Sequence, residues 1–307
     1  MHGRPAKVDS PWRLVKISVI TRVGSGEAAI AETIARGGRI IAPVRIRIDL
    51  AYLGTFFEGW QVQADRPGGV PVRTVQGVLE TALKEIFRAD IGAHGAGRTD
   101  SGVHAHAQVA HFDVPEGAPL LPSQKIPRAL NSRLPWDVRV LSAFEAAPDF
   151  HAHRSAVGKV YVYRLRRGEL LHPHSGLVEA LAPERLDVAA MRAAAASLVG
   201  RRDFAPFSLT GSDPGTTVRT LSRLDVAEEG SLLVVTAAGD GFLRGMVRRL
   251  VGTLRDAGRG RIRPDDAPAR PGPTAEARGL TLARVLYPPD TLPGDAAAGG
   301  GTPDSSG

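Results

Sequence analysis

The sequence predicts an α+β fold: a largely antiparallel β-sheet built in two similar halves, with helices packed on one face. Three observations carry this. Several short stretches alternate apolar and polar residues, as half-buried strands do. Other stretches carry their apolar residues at helical spacing. Late in the chain, two alternating runs are joined by a turn too short for a parallel crossover.

In chain order, "VRIRIDLAY" (44–52) alternates strictly, with Val44, Ile46, Ile48 and Leu50 on one face and Arg45, Arg47 and Asp49 on the other. A Gly/Pro-rich loop containing "RPGGVP" follows. "TVQGVLETALKEIFR" then places Val75, Val78, Leu79, Ala82, Leu83 and Ile86 on one helical stripe, with Thr74 as its N-cap. The loop "GAGRTDSG" leads into a strand predicted over about Ala105–Val114. A Pro-rich connection reaches another strand, "DVRVLSAF". The second half opens with "KVYVYRLR", whose Tyr161, Tyr163 and Leu165 share a face, and continues with a helix over about Val188–Val199. "VRTLSRLDVAEEGSLLVVTAAG" is a hairpin turning at Glu228–Gly230. "FLRGMVRRLVGTLRDAG" is a helix with Leu243, Met246, Val247, Leu250, Val251 and Leu254 facing inward. Strand, helix and strand recur in each half, which points to a duplicated domain.

Composition narrows the function. Apolar residues make up 43% of the 307 residues, enough for a sizeable core. No run is long enough to span a membrane, and no secretory signal is present. There is no cysteine, which excludes disulfides, zinc-thiolate sites and thiol nucleophiles and fits a cytoplasmic address. A net charge of +7 favours a polyanionic partner, most simply nucleic acid. The charge is clustered: Arg244–Arg263 holds seven arginines and one acid, and Arg154–Arg167 holds five basic residues and no acid. One-signed blocks suggest a phosphate footprint.

Asp100 is the candidate reactive group. "DSG" is a common turn sequence, because Asp accepts from backbone N–H groups nearby. Against that plain structural role, Gly95, Gly97 and Gly102 would let a ligand approach the backbone, and Arg98 would favour an ionised carboxylate. Such an aspartate could be a nucleophile, a base or a metal ligand. Alternation puts His104 and His106 on one face of their strand but His111 on the other, so a full metal shell does not converge and no metal is expected. "VGSGEAAIA" (23–31), with Asp49 downstream, has some features of a dinucleotide fingerprint, but the strand that follows is amphipathic rather than buried. Paired glycosidase carboxylates are also unsupported, since no second acid follows Asp100 before Asp113.

Seven segments, in order, resemble the TruA family of tRNA pseudouridine synthases. They are "GWQVQ", "TVQGVLETAL", "GAGRTDSGVHAHAQVAHF", "NSRLPWDV", "DFHAHRSAVGKVYVYRL", "GDGFLRGMVRRLVG" and "GLTLARVLYP", spread over about 44–288. The resemblance implies the pseudouridine synthase fold with its active-site cleft between the halves. It implies conversion of uridine to pseudouridine at positions 38–40 of the tRNA anticodon stem-loop, by a cofactor-free homodimer. It places Asp100 on the catalytic aspartate, Tyr161 on the tyrosine that packs on the target base, Arg244 on the basic residue paired with the aspartate, and Arg98 on the arginine before it. Arg154 and Arg248 are further candidate substrate contacts. The chain departs from the family pattern at Leu53, at His153 and in a shortened Pro-rich stretch, 264–275. The implied organisation is an extension at 1–43, catalytic halves at 44–148 and 149–288, and a disordered tail at 289–307. The competing functions are a non-catalytic tRNA-binding protein on the same fold and a nucleotide-dependent oxidoreductase.

Overall fold

Alternation in the first strand has a direct structural counterpart. In β1 (Val44–Tyr52), Ile46, Ile48, Leu50 and Tyr52 are buried and the residues between them are not. The computed structural model describes residues 43–64, 69–209, 211 and 215–290. The predicted N-terminal extension, apart from Pro43, lies outside the described residues, as do the 23–31 glycine motif and the predicted tail beyond Asp290.

The first half continues with α1 (Val75–Phe87), the two-residue β2 (His94–Gly95), β3 (His104–Val114), α2 (Ile126–Asn131) and β4 (Val138–Glu145). The second holds β5 (Gly158–Arg167), β6 (Ala180–Ala182), α3 (Val188–Leu198), β7 (Gly200–Asp203), β8 (Val218–Glu229), β9 (Leu232–Gly239) and α4 (Met246–Gly258). β10 (Leu280–Leu286) comes last. The sheet order is β4-β1-β3-β10-β5-β9-β8-β7, with β2 beside β3 and β6 beside β5. Pairing is antiparallel except for β10 on β3 and β6 on β5. The last strand therefore sits in the middle, between the two halves.

Helices take the apolar face. Ile46 lies opposite Phe112 in register, so both point the same way. Phe87 of α1 meets Phe112 with ring centroids 5.7 Å apart, which puts α1 over that face. The reverse face is polar: Arg45, opposite Asp113 in register, makes a 2.7 Å ion pair with it. In the second half, Arg192 of α3 donates to the Val226 carbonyl of β8 at 2.9 Å. α3 and α4 pack closely where Gly258 leaves room for Met191, whose Cγ lies 2.8 Å from the position a Cβ would occupy.

Helix starts follow local chemistry. The Thr74 hydroxyl accepts from the Gly77 N–H at 3.2 Å, and Asp187 accepts from Ala189 and Ala190 at the start of α3. The arginine-rich helix starts four residues later than predicted, at Met246 rather than Phe242. Gly245 has φ +68°, a left-handed conformation that an α-helix cannot continue through, and Leu209 fills the space a side chain would need there. The connection predicted between β3 and β4 contains α2, with Pro127 tolerated in its first turn.

The Pro-rich stretch at 264–275 ends in a strap across α4. Gly272 N–H donates to Thr253 Oγ1 at 2.7 Å, and Ala275 N–H donates to the Arg248 carbonyl at 3.1 Å. The backbones touch: a Cβ on Gly252 would lie 1.7 Å from the Pro273 carbonyl oxygen. Gly252→Val is therefore expected to cost about 2–3 kcal/mol or more, read as a lower thermal midpoint. An unchanged midpoint would show that the strap yields without cost.

Candidate active site

The loop carrying Asp100 is held from three sides. Ala96 N–H donates to the Val109 carbonyl at 2.7 Å, continuing the β2–β3 pairing. Trp60 N–H donates to the Thr99 carbonyl at 3.1 Å, and Gly102 N–H to the Phe57 carbonyl at 3.2 Å. Buried side chains complete the support. Gln108 donates to the Gly97 carbonyl at 2.8 Å, and the Tyr52 and Thr99 hydroxyls are 2.8 Å apart. Asp100 also closes a turn, its carbonyl accepting from Val103 N–H at 3.1 Å.

Two of the loop's glycines have packing roles of their own. The Trp60 ring lies 2.6 Å from where a Cβ on Gly95 would be. Gly102 has φ +77°, which the turn after Asp100 requires.

The Asp100 side chain is one-quarter exposed. Arg248 Nη1 lies 3.6 Å from its Oδ2, and Arg244 Nε lies 3.9 Å from its Oδ1. Both separations exceed hydrogen-bond length, so the carboxylate is neutralised at a distance without being locked. The two arginines are held differently. Arg248, in the first turn of α4, is 19% exposed and donates through Nε to the strap carbonyl of Ala275 at 2.7 Å. Arg244 is 53% exposed and stands on the lead-in before Gly245.

Tyr161 comes from β5, in the other half. It is buried, and its ring meets Phe242 edge-on with centroids 5.1 Å apart. Burial raises the phenol pKa well above its usual value, and Tyr52 and Asp100 add to this. Tyr161 is thus a neutral phenol near the carboxylate.

The remaining candidates lie on the surface. Arg98 and Arg154 are exposed. The turn bearing His153 and Arg154 is shaped by His151, whose Nδ1 accepts from both backbone N–H groups at 3.2 and 3.3 Å. The pKa of His153 is lowered by partial burial and then by the charges of Lys159, Arg154 and Arg98. Lys159 did not stand out in the sequence. Its signal was its place in "KVYVYRLR", two residues before Tyr161 and on the same face of the strand.

The histidines of β3 have structural partners. Gly54 N–H donates to His104 Nδ1 at 3.0 Å, so Nε2 carries the proton and donates to the Arg278 carbonyl at 2.9 Å. His111 Nδ1 accepts from Ala152 N–H at 3.2 Å. Among the described residues no group of three or more His, Asp or Glu side chains is placed to hold a metal ion.

The arginine blocks are not a continuous footprint. Arg255 and Arg259 each lie 2.7 Å from Glu184. Arg166 pairs with Glu179 and Arg167 with Glu228, both at 2.8 Å. Their acidic partners lie outside the one-signed runs, which hid the pairing from the sequence pattern.

Comparison with known proteins agrees with this architecture. Residues 50–153 and 194–288 match the family described as tRNA pseudouridine synthase. The tRNA pseudouridine synthase A of Oleidesulfovibrio alaskensis is 41% identical over 278 residues, covering 81% of this chain and 98% of that protein. The protein of the same name from Solidesulfovibrio magneticus is 45% identical over 260 residues, covering 79% and 91%. That from Chlamydia trachomatis is 38% identical over 253 residues, covering 80% and 92%. With its family motifs meeting where two halves of one sheet join, the chain belongs to the tRNA pseudouridine synthase family.

Proposed function

We propose that this protein isomerises uridine to pseudouridine in the anticodon stem-loop of tRNA, at positions 38–40, with Asp100 as the nucleophile. The observation that carries this reading is the meeting of Asp100 with Arg248 and Arg244 and with Tyr161 from the other half of the sheet. That convergence also favours an enzyme over a non-catalytic binder.

A uridine in a stem has to be flipped out first, at a cost of a few kcal/mol. The N1–C1′ bond then breaks, the uracil turns and a C5–C1′ bond forms; the C5 proton leaves and N1 gains one. An anionic Asp100 can assist by attacking C1′ or by adding to the ring, and either route needs the carboxylate charged and within reach. Two arginines stand 3.6 and 3.9 Å from its oxygens, longer than hydrogen bonds, which leaves those oxygens accessible. Arg248, anchored to the strap, is the fixed counter-charge, and Arg244 supplements it. Neutral Tyr161 supplies the face on which the turned-out base packs, and its hydroxyl a polar group near C5. Arg98 and Arg154 on the surface meet the phosphates.

The resemblance supports a homodimer acting in the cytoplasm. A candidate surface for the second copy is the aromatic pair Phe56 and Trp136, 50% and 68% exposed, with ring centroids 6.1 Å apart. Light scattering tests it: Trp136→Ser should shift the mass toward a monomer, and an unchanged dimer would exclude this face.

Incubation with unmodified tRNA labelled at uridine C5, followed by mapping of the product, tests the activity itself. Asp100→Asn should lower turnover at least about a thousandfold with tRNA binding retained. A variant still working at a substantial fraction of the wild-type rate would remove Asp100 from the chemistry. Arg248→Ala should lower kcat about tenfold to a hundredfold, and Arg244→Ala less. The reverse order would make Arg244 the principal counter-charge. Tyr161→Phe should keep RNA binding and lose most turnover.

Affinity for tRNA should fall steeply with salt. Arg154→Ala should reduce the slope of log affinity against log salt by about one. Arg255→Ala, whose charge is already paired with Glu184, should leave the slope unchanged. Equal effects would mean that the Glu184 pair opens on binding.

A further inference from the structure

Lys159 is a buried cation that the chemistry above does not use. It is 8% exposed and lies on β5, opposite Gly239 and Val285 in register. Gly97 in the Asp100 loop accommodates it: Lys159 Cε is 3.0 Å, and Nζ 3.8 Å, from where a Cβ on Gly97 would be. Among the described residues Nζ has no carboxylate within ion-pair distance. The buried side-chain nitrogens and oxygens without a partner, among those residues, are Nε of Arg202 and Nε of Arg249. Nζ is not one of them, so the tip of this otherwise buried side chain keeps some contact with solvent beside Gly97.

Its surroundings are cationic. Arg219 lowers its pKa, adding to the larger effect of burial, and Asp240 opposes both. Asp240 is itself engaged, accepting from Thr220 N–H at 3.0 Å. The charges of Lys159, Arg154 and Arg98 all act on His153. An ammonium on a mostly buried side chain, with no carboxylate at ion-pair distance among the described residues, is costly, and an arriving anion offsets that cost. A neutral base edge would do so less well. Lys159 and Tyr161 stand two residues apart on one face of the strand, about 6.6 Å. That spacing suits a base on the tyrosine and its own phosphate at the lysine.

We propose that Lys159 receives the phosphodiester next to the flipped uridine, with Arg98 and Arg154 flanking it. This deepens the function proposed above and rests on it. The test uses a stem-loop RNA carrying one target uridine, with a neutral methylphosphonate placed in turn at each phosphate beside it. Binding by fluorescence anisotropy and turnover are both measured, for wild type, Lys159→Met and Lys159→Arg. In wild type, one methylphosphonate should weaken binding about tenfold, the effect of a lost charge-assisted contact. Lys159→Met should show a similar loss with native RNA, no further loss at that position, and a salt slope reduced by about one. Lys159→Arg should recover most of the affinity. Lys159→Met should also melt at or above the wild-type temperature, because it removes an unpaired buried charge. The proposal is overturned if the methylphosphonate penalty is as large in Lys159→Met as in wild type. It is equally overturned if that variant loses thermal stability while keeping the wild-type salt slope. Failure of the wild type to make pseudouridine would refute the proposed function, and the binding measurements would still decide the role of Lys159.

Discussion

The position of β10 is the constraint on which the site depends. Asp100 and Tyr161 belong to different halves, and no hydrogen-bonded strand pair joins β3 to β5 directly. β10 does so instead, with Thr281 opposite His104 on one side and Leu282 opposite Tyr161 on the other. A slip of one residue in either register would turn the interleaved side chains to the wrong face. His104 reinforces the join, since its ring connects Gly54 of the first half to Arg278 just before β10. Strand pairing thus fixes Tyr161 relative to β3, and the short loop ahead of β3 carries Asp100 the rest of the way.

Local elements were legible in the sequence because each has a local cause. Strict alternation marked β1, and the stripe from Val75 to Ile86 marked α1 with its Thr74 cap. The family resemblance supplied Asp100 and Tyr161, since a DSG turn and a strand tyrosine have ordinary structural roles of their own. Other features depended on distant partners. β10 reads as one more short apolar run, and nothing in its periodicity says that it belongs at the centre. The late start of α4 depends on Leu209, 36 residues before Gly245 in the numbering. The pairing of Arg255 with Glu184 crosses 71 positions. Lys159 looked like one basic residue among five until the fold buried it against Gly97.

The ion pairs differ in their spacing. On the polar face of the sheet and around Glu184, arginines are satisfied by carboxylates at 2.7–2.8 Å. Beside Asp100 the same residue type stands off at 3.6 and 3.9 Å. Close pairs fix structure, and the looser ones leave the Asp100 oxygens accessible, as the proposed chemistry requires. Arg98, Arg154 and Lys159, whose charges all act on His153, have no carboxylate at ion-pair distance among the described residues.

A central strand that is also the last one has a consequence for synthesis. Until residues 280–286 have left the ribosome, the inner edges of β3 and β5 both lack their neighbour, and each is a template for pairing with another chain. Translation at about 5–20 residues per second leaves those edges open while the earlier elements already exist. The two halves can form their own helices and hairpins in that interval, but they cannot fix Asp100 against Tyr161. The proposed active site is therefore assembled only when β10 closes the sheet, and a nascent chain shorter than this would be partly folded and sticky at two edges.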